Sequence, residues 1–453
     1  MNRKTKLKLS TTHIIMLSFL ITIFIGSALL ALPISSKTGA SVPYIDALFT
    51  AATATCVTGL VTLPTVATWS VFGQIVILLL IQIGGLGVIT VTSGLMIALH
   101  RKLRLKDSRL IGDAFNLNTL SGLRSFVKKV LIGTLLIELC GALFYMPVFI
   151  RDFGAKGVWI SLFNSVSAFC NAGIDIVSEY SLYGYAQNTL VNAVTALLIV
   201  LGGLGYIVWW DLLRVLKSAK TMKWKCLKKL TLHSKIVLTT TAVLILGGAA
   251  AIFAFEYNNP LTIKEFNLFE KIQASLFQSI TTRTAGFATL PQENLTNASA
   301  IVCLLLMFIG GSPIGTAGGI KTVTIAVLLA TAVSVIRNKD EVVLFGRKLS
   351  KQTTRKAVAV FFTSLCIVFI SSVLLSAVTQ APALDIVYEA VSATATVGLT
   401  RNLTPLLNVW GKIIIIATMY LGRVGPISLA VAFHSKKETT NNIQYPNEEI
   451  SVG

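Results

Sequence analysis

Long apolar runs recur along the chain, and short polar stretches separate them. Runs long enough to cross a bilayer as helices lie near residues 12–33, 70–99, 127–150, 188–212, 235–255, 299–336, 357–380 and 409–433. An α-helix rises about 1.5 Å per residue, so about 20 apolar residues cover the roughly 30 Å of a hydrocarbon core. The pattern therefore predicts an all-α, polytopic membrane protein with eight spans.

A second kind of segment lies between the two runs of each successive pair. These segments are rich in small and hydroxyl-bearing residues and lead into a glycine: TAATATCVTGL (50–60), NSVSAFCNAGI (164–174), QSITTRTAGF (278–287) and EAVSATATVGL (389–399). Each is too short to cross a bilayer as a helix. We expect four short helices that enter the membrane and turn back at a glycine loop.

The spacing of the four loop glycines indicates an internal repeat. Gly59, Gly173, Gly286 and Gly398 are separated by 114, 113 and 112 residues. Such a constant period indicates four tandem copies of one helix–pore loop–helix unit, arranged with pseudo-fourfold symmetry around a central pore. The predicted divisions are a cytoplasmic N-terminus (1–11), units at 12–100, 101–215, 216–337 and 338–435, and a cytoplasmic tail (436–453) that contacts a partner or is disordered.

The third unit departs from the other three in its second long run. The stretch GGSPIGTAGGIK (310–321) places glycines and a proline inside an otherwise apolar segment. These residues disfavour a continuous helix, so we expect a break there. Two further glycine clusters, GGLG at 84–87 and at 202–205, follow the loop of their own unit at a similar interval, and we expect them to pack inner helices against the loops.

Composition excludes several classes of protein. Hydrophobic residues make up 54% and charged residues 13% of the 453 residues, and the mean hydropathy is +0.76, values that exclude a soluble fold. The six cysteines have no CxxC spacing, so no zinc site or disulfide framework is predicted. The four histidines lie at ends of predicted helices and form no catalytic constellation, so we do not expect an enzyme.

The net charge of +20 follows the predicted topology. Of the 39 Lys and Arg residues, 29 lie in the segments 1–11, 100–129, 211–235, 336–356 and beyond 433. All five segments fall on one side of an eight-span chain. The positive-inside rule makes that side cytoplasmic, so both termini lie inside and the glycine loops enter from outside. Nucleic acid is not an expected partner.

Four glycine loops within a membrane point to an ion pathway. Non-helical backbone is tolerated at that depth only where protein buries it or where it lines a water-filled cavity. Rings of backbone carbonyls can replace the hydration shell of a monovalent cation, and glycine permits the required turns. The negative C-terminal ends of the short helices also favour a cation.

The loop motifs TCVTGL, FCNAGI, TRTAGF and TATVGL, together with GGSPIGTAGGIK and YLGRVGP (420–426), carry a family resemblance. From about Thr12 to His434 the chain resembles the Trk/Ktr/HKT superfamily of potassium transport proteins, and eight spans without extra N-terminal helices are similar to the Ktr-type membrane pore subunit. The resemblance implies that K+ binds only at the carbonyls of a selectivity filter formed by Cys56, Val57, Thr58, Gly59, Cys170, Asn171, Ala172, Gly173, Arg283, Thr284, Ala285, Gly286, Ala395, Thr396, Val397 and Gly398.

The resemblance also implies a gate just inside the filter. Its residues would be Gly310, Gly311, Ser312, Pro313, Gly315, Thr316, Gly318, Gly319, Lys321 and Arg423, with Arg423 opposing cation passage beneath the filter. It further implies K+ uptake across the plasma membrane, with Na+ as a second ion, by a lipid-embedded homodimer. A cytosolic ring of nucleotide-binding (ATP/ADP) regulatory subunits would control the gate, and this chain itself would carry no cofactor. A sodium-coupled secondary transporter of K+ or Na+ is the alternative.

Several charged residues leave alternatives open. Arg423 lies in an apolar run, where it either serves the ion path or extends to the cytoplasmic interface. Arg283 is a cation in a cation filter, so we expect its guanidinium to turn back into the protein, with Glu389 as one candidate partner. Glu138 has either a structural hydrogen bond or an ion-coupling role. Lys321 marks the end of the broken segment.

Overall fold

The computed structural model describes residues 11–88, 90–91, 93, 123–217 and 228–425. Residues 1–10 of the predicted N-terminus, most of the basic loop at 100–129 and the tail at 436–453 therefore lie outside the described residues, as does Pro426 of the last motif. Within the described parts, four helices are long and apolar enough to cross a membrane by length and composition: His13–Leu30, Arg124–Phe153, Leu232–Glu256 and Lys351–Val378.

Helices dominate the described chain. In chain order they are α1 (Thr11–Leu30), α2 (Tyr44–Cys56), α3 (Thr65–Thr68), α4 (Val71–Leu86), α5 (Leu123–Phe153), α6 (Lys156–Cys170), α7 (Thr189–Leu204), α8 (Tyr206–Lys217), α9 (Leu232–Glu256), α10 (Leu268–Thr281), α11 (Asn297–Phe308), α12 (Thr322–Ile336), α13 (Lys351–Val378), α14 (Ala383–Ala395) and α15 (Val409–Val424). A small antiparallel hairpin, β1 (Val343–Leu344) and β2 (Arg347–Lys348), pairs Val343 with Lys348 between α12 and α13.

Local sequence explains where the short helices begin. Pro43 and Pro382 stand immediately before α2 and α14 in extended backbone conformations. Before α10, the Asn267 side chain accepts from the amide of Glu270, and the Glu270 carboxylate accepts from the amide of Asn267, which completes a capping box. The capping box satisfies amide groups that the first turn of α10 would otherwise leave unpaired.

The helices that follow the glycine loops are short and end at glycines. Helices α4, α7 and α15 have 16 residues each, which corresponds to about 24 Å. The residue after each adopts a positive φ: +83° at Gly87, +85° at Gly205 and +91° at Gly425. At Gly205 the chain bends by 99° between α7 and α8. The apolar run at 188–212 is therefore not one straight helix.

The expected break in the third unit is confirmed. Helix α11 ends at Phe308 and α12 begins only at Thr322. The residues between them form a non-helical segment whose ends meet, because Ile309 and Ile320 form an isolated β-bridge. We call residues 310–321 the intramembrane segment.

Apolar side chains cover the outside of the long helices, while the C-terminal parts of the short helices are mostly buried. On α5, Leu135, Leu139 and Leu143 are 55%, 53% and 62% exposed, and their spacing places them on one face of the helix. Phe163 on α6 and Tyr388 on α14 are instead completely buried. A continuous exposed apolar surface is expected of a protein whose surroundings are lipid. The core thus lies around the short helices and their loops.

Candidate functional site

The four loop glycines form a closed ring. A Cβ atom added to any one of them would lie closer than 3.0 Å to a carbonyl oxygen of the next loop, that of the residue just before the next glycine. The fourth loop approaches the first in the same way. The pairs are Gly59 with Ala172, Gly173 with Ala285, Gly286 with Val397, and Gly398 with Thr58. All four glycines also have positive φ. Both the close approach and the backbone conformation exclude larger residues.

A left-handed residue stands two positions before each glycine. Val57, Asn171, Thr284 and Thr396 have φ values of +56°, +60°, +67° and +52°. This conformation is unusual for any residue other than glycine and is a genuine outlier for the β-branched Val57, Thr284 and Thr396. Such strain persists only where the surroundings enforce it, and it concentrates at functional sites. The glycine spacing did not reveal this feature.

Hydrogen bonds fix the loops against their short helices. The amides of Thr58, Ala172 and Val397 donate to backbone carbonyls of the preceding helix at 2.9, 2.8 and 2.8 Å. The amides of Gly59 and Gly398 donate to the hydroxyls of Thr53 and Ser392 at 3.0 Å.

The loop carbonyls are left available by this arrangement. Among the hydrogen bonds within the described residues, none ends on the carbonyl oxygen of Thr58, Ala172, Ala285 or Val397. Oxygens that meet in a ring without donors are suitable ligands for a cation.

The structure brings all sixteen predicted filter residues together. Every member of Cys56–Gly59, Cys170–Gly173, Arg283–Gly286 and Ala395–Gly398 is buried. Helices α2, α6 and α14 end at the first residue of their loops, and α10 ends two residues before its own. The C-terminal ends of these short helices therefore lie next to the ring, where their partial negative charge favours a cation.

The expected packing of the GGLG motifs is confirmed. A Cβ atom on Gly84 or Gly202 would lie closer than 3.0 Å to the carbonyl oxygen of Thr55 or Phe169 respectively. The glycines thus allow α4 and α7 to approach the ends of the short helices closely. Gly422 on α15 has the same relation to Thr394.

The intramembrane segment contacts elements of three units. Its Ser312 and Thr316 amides donate to the carbonyls of Gly203 and Gly202 at 2.9 and 3.1 Å, and the Thr316 hydroxyl donates to Phe169 O at 3.0 Å. The Gly318 amide donates to the Thr284 hydroxyl in the third glycine loop at 3.2 Å. A Cβ on Gly318 would collide with Thr396 in the fourth loop. The predicted gate residues are therefore adjacent to the predicted filter.

Two cationic side chains bind the same segment. Arg423 donates from Nη1 to Thr316 O at 2.8 Å and from Nη2 to Gly84 O at 2.6 Å. It is thus directed into the protein and joins the fourth unit to the segment and to the first unit. Lys321 Nζ donates to Ala317 O at 2.6 Å. Both cations are held by segment carbonyls, so Lys321 does more than mark the segment's end.

Arg283 turns away from the ring, as expected, but its partner differs. Its Nη2 donates to Gly310 O at 3.0 Å. Glu389 instead accepts hydrogen bonds from the hydroxyls of Thr400, at 2.6 Å, and Thr404. The suggested pairing of Arg283 with Glu389 is therefore wrong, because neighbouring hydroxyls already satisfy that carboxyl group.

Glu138 lies in a polar cluster behind the second loop. Its Oε2 accepts from Gln82 Nε2 at 3.2 Å, and its Oε1 lies 3.8 Å from Cys170 Sγ. Glu138 is only 2% exposed. The structural hydrogen bond that the sequence left open is thus present, and it connects α4, α5 and the end of α6.

Sequence reasoning missed the polar contacts that join successive units. Lys412 Nζ pairs with Asp46 Oδ1 at 2.5 Å, and Trp159 Nε1 donates to Gln74 Oε1 at 2.8 Å. Arg401 pairs with Asp385 at 2.7 Å and also donates to the carbonyl of Gln292. A lysine inside the apolar run at 409–433 was the one visible signal for such a contact.

Comparison with known proteins identifies the family. The sequence profile of the TrkH family, described as a cation transport protein, matches residues 2–445. The chain belongs to the TrkH family. The resemblance drawn from the loop motifs is therefore confirmed.

Relatives of this TrkH-family chain share nearly its whole length. It is 40% identical to the Ktr system potassium uptake protein B of Bacillus subtilis, over 97% of this chain and 96% of that protein. It is 37% identical to the potassium/sodium uptake protein NtpJ of Enterococcus hirae, over 100% and 99%. Family and relatives alike are cation transport proteins.

A solved structure has the same fold. The potassium transporter TrkH of Vibrio parahaemolyticus matches 95% of this chain and 86% of its own, with a TM-score of 0.73 and 15% identity. Together with the apolar helices, family membership makes this chain a multi-pass membrane protein.

Proposed function

We propose that this chain is the pore subunit of a K+ uptake system in the plasma membrane. The observation that carries the proposal is the closed ring of four glycine loops with available carbonyls. The relatives support K+ as the main ion, since one is named for potassium uptake and another for potassium/sodium uptake. Sodium is therefore a second ion to be tested.

The proposed architecture has four units of one orientation around the ring. Each contributes an outer helix, a short pore helix, a filter loop and an inner helix, in the divisions 12–100, 101–215, 216–337 and 338–435. The chain would cross the membrane eight times with both termini in the cytoplasm, where the basic segments lie. The helix order supports this arrangement, because long, short and inner helices alternate four times among the described elements.

The sixteen filter residues would bind K+ through their backbone. Four loops with different side chains form a less symmetric cage than four identical loops would, so we expect modest discrimination between K+ and Na+. The direction of the Arg283 side chain supports this assignment. Its hydrogen bond to Gly310 O draws the guanidinium into the protein, so the charge would lie behind the loop and not on the axis.

The intramembrane segment would be the gate. It lies against the third and fourth filter loops, and Arg423 and Lys321 hold its carbonyls. We propose that it obstructs the path in this conformation and that a cytosolic nucleotide-binding ring moves it in a homodimeric assembly. We propose that this ring is formed by separate regulatory subunits.

A sodium-coupled secondary transporter is the second candidate. Glu138 favours it, because a buried acid within a membrane helix is a typical ion-coupling group. Coupled transport would require Na+ for every K+ taken up, whereas a pore would conduct K+ alone.

The deciding experiment is an uptake assay in potassium-starved cells that lack other K+ importers and contain the cytosolic nucleotide-binding subunit together with this chain. We expect the chain to restore K+ uptake, with Na+ competing at higher concentration. The same assay with choline replacing Na+ separates the two candidates, because a sodium-coupled transporter would stop. Cells that take up no K+ in either medium, although they contain folded protein, would contradict both.

A further inference from the structure

Two adjacent residues of the third filter loop hold both ends of the intramembrane segment. Arg283 Nη2 donates to the carbonyl of Gly310, its first residue, at 3.0 Å. The next residue, Thr284, accepts at its hydroxyl from the amide of Gly318 at 3.2 Å. Both side chains are buried, with 7% and 0% exposure. One loop therefore contacts the segment at two points.

These two points, Gly310 and Gly318, lie where the beginning and the end of the segment meet, and we call Gly310 and residues 318–320 its neck. Gly310 N donates to Ile320 O at 2.9 Å, and Ile320 N donates to Phe308 O at 3.2 Å. A Cβ on Gly310 would lie closer than 3.0 Å to Gly318 O. The chain thus enters and leaves the segment at one place, directly against the third filter loop. Its tip, around Ser312 and Thr316, instead contacts the second unit and Arg423 of the fourth.

The bond from Arg283 favours one position of the segment. Among the described residues, no carboxylate forms an ion pair with Arg283, and its Nε has no hydrogen-bond partner. The side chain borders a small cavity, lined also by Thr241 and Gly311, with an otherwise largely apolar surface. If the neck moved away, the buried guanidinium would lose the acceptor of its one side-chain hydrogen bond, which is a large penalty.

We infer that Arg283 and Thr284 are positioning residues that couple the third filter loop to the intramembrane segment. The neck cannot move away without breaking a charge-assisted hydrogen bond to the filter loop. The third filter loop therefore holds the neck in the position seen here, while the second unit and Arg423 hold the tip. The inference rests on the proposed function in one respect, namely that the segment obstructs the ion path.

A double-mutant cycle tests this coupling in the full chain without its regulatory partner. The variants are Arg283→Gln, a deletion of Ser312 to Gly318, and the combination of the two. We expect Arg283→Gln to raise K+ flux about tenfold, because a hydrogen bond from a charged donor biases an equilibrium by about that factor. The deletion should raise flux as well, and Arg283→Gln should add nothing in the deleted background, since it would act only through the segment.

Thr284→Val provides a second route to the same result. It removes the acceptor of the Gly318 amide and should raise flux several-fold. Thr282→Val is the matched control: Thr282 is equally buried, but its hydroxyl donates to Ser279 O of the preceding helix α10 at 2.9 Å and does not contact the segment. We expect this variant to leave flux unchanged. Elution of each purified variant as a single species shows that it is folded. If Arg283→Gln does not fold, Thr284→Val replaces it in the test.

Two outcomes would overturn the coupling. In one, Arg283→Gln changes flux by the same factor with and without the segment. In the other, it changes the ratio of K+ to Na+ uptake and leaves the flux as it was, which would make Arg283 a filter residue alone. Failure of the proposed function looks different, because the unaltered chain and the deletion variant would then both fail to transport K+.

Discussion

Lys412 and Asp46 form an ion pair of 2.5 Å although 366 residues separate them along the chain. Lys412 belongs to α15, and Asp46 belongs to α2. Both side chains are largely buried, with 14% and 9% exposure. The pair therefore joins the last predicted unit to the first.

We predict that Lys412→Met destabilises the protein. Removal of one partner leaves the Asp46 carboxylate buried and unpaired, which costs about 3 kcal/mol of unfolding free energy. Thermal unfolding in detergent measures the loss. The double variant Asp46→Asn with Lys412→Met should recover most of it, because no charge is then left unpaired. Lys348→Met is the control, since its ion pair with Glu341 is exposed and contributes little.

We predict that Gly286→Ser reduces the preference for K+ over Na+. The new side chain would meet the backbone of the adjoining loops, and φ at this position is +84°. Displaced carbonyls fit K+ less well, so the uptake ratio should fall about tenfold, which corresponds to roughly 1.4 kcal/mol. Gly59→Ser should act similarly. Gly184→Ser is the control, because a Cβ there meets nothing within 4 Å. An unchanged ratio in the filter variants would count against a carbonyl filter.

We predict that Arg423→Gln raises K+ flux in the absence of a regulatory partner. The change removes both the bond to Thr316 O and the bond to Gly84 O. Arg423→Lys keeps the charge but cannot bridge two carbonyls with a planar fork, so it separates electrostatic repulsion from hydrogen bonding. We expect an intermediate flux for the lysine variant. If Arg423→Gln has the same K+ flux as the unaltered protein, Arg423 neither repels the ion nor restrains the segment through its hydrogen bonds.

We predict that Asp175 makes stability depend on pH. Burial raises the pKa of this carboxyl group, which follows the second glycine loop, to about 6. A raised pKa means that the folded state holds its proton more tightly than the unfolded state, so stability falls as pH rises from about 4 to about 6 and is level above that. The total loss is about 3 kcal/mol.

Asp175→Asn should remove that dependence. The side-chain oxygen of the new asparagine can still accept a hydrogen bond from the Val177 backbone amide. In the unaltered protein that amide donates to Asp175 Oδ1 at 3.2 Å. We expect the variant to be more stable than the parent at pH 7 and similar to it at pH 4, as measured by unfolding temperatures across the pH range. Parallel pH curves for the two proteins would show that another group is responsible.

The sequence was sufficient for the features that depend on local composition and spacing. Apolar runs predict membrane helices because lipid excludes polar side chains and unpaired backbone groups. The glycines and proline at 310–319 predicted the break between α11 and α12, because these residues constrain the backbone wherever they stand. The fourfold repeat indicated by the period of the loop glycines stays a prediction. The loop motifs were specific enough to indicate the family.

Only the tertiary structure decided the contacts between distant residues. The partner of Arg283 is Gly310 and not Glu389, because neighbouring hydroxyls occupy that carboxyl group. The pairing of Lys412 with Asp46 depends on how the last unit meets the first. The left-handed conformation of Val57 is likewise imposed by packing that overrides the preference of a β-branched residue. Such contacts depend on relative positions in space, which neither composition nor spacing along one chain specifies.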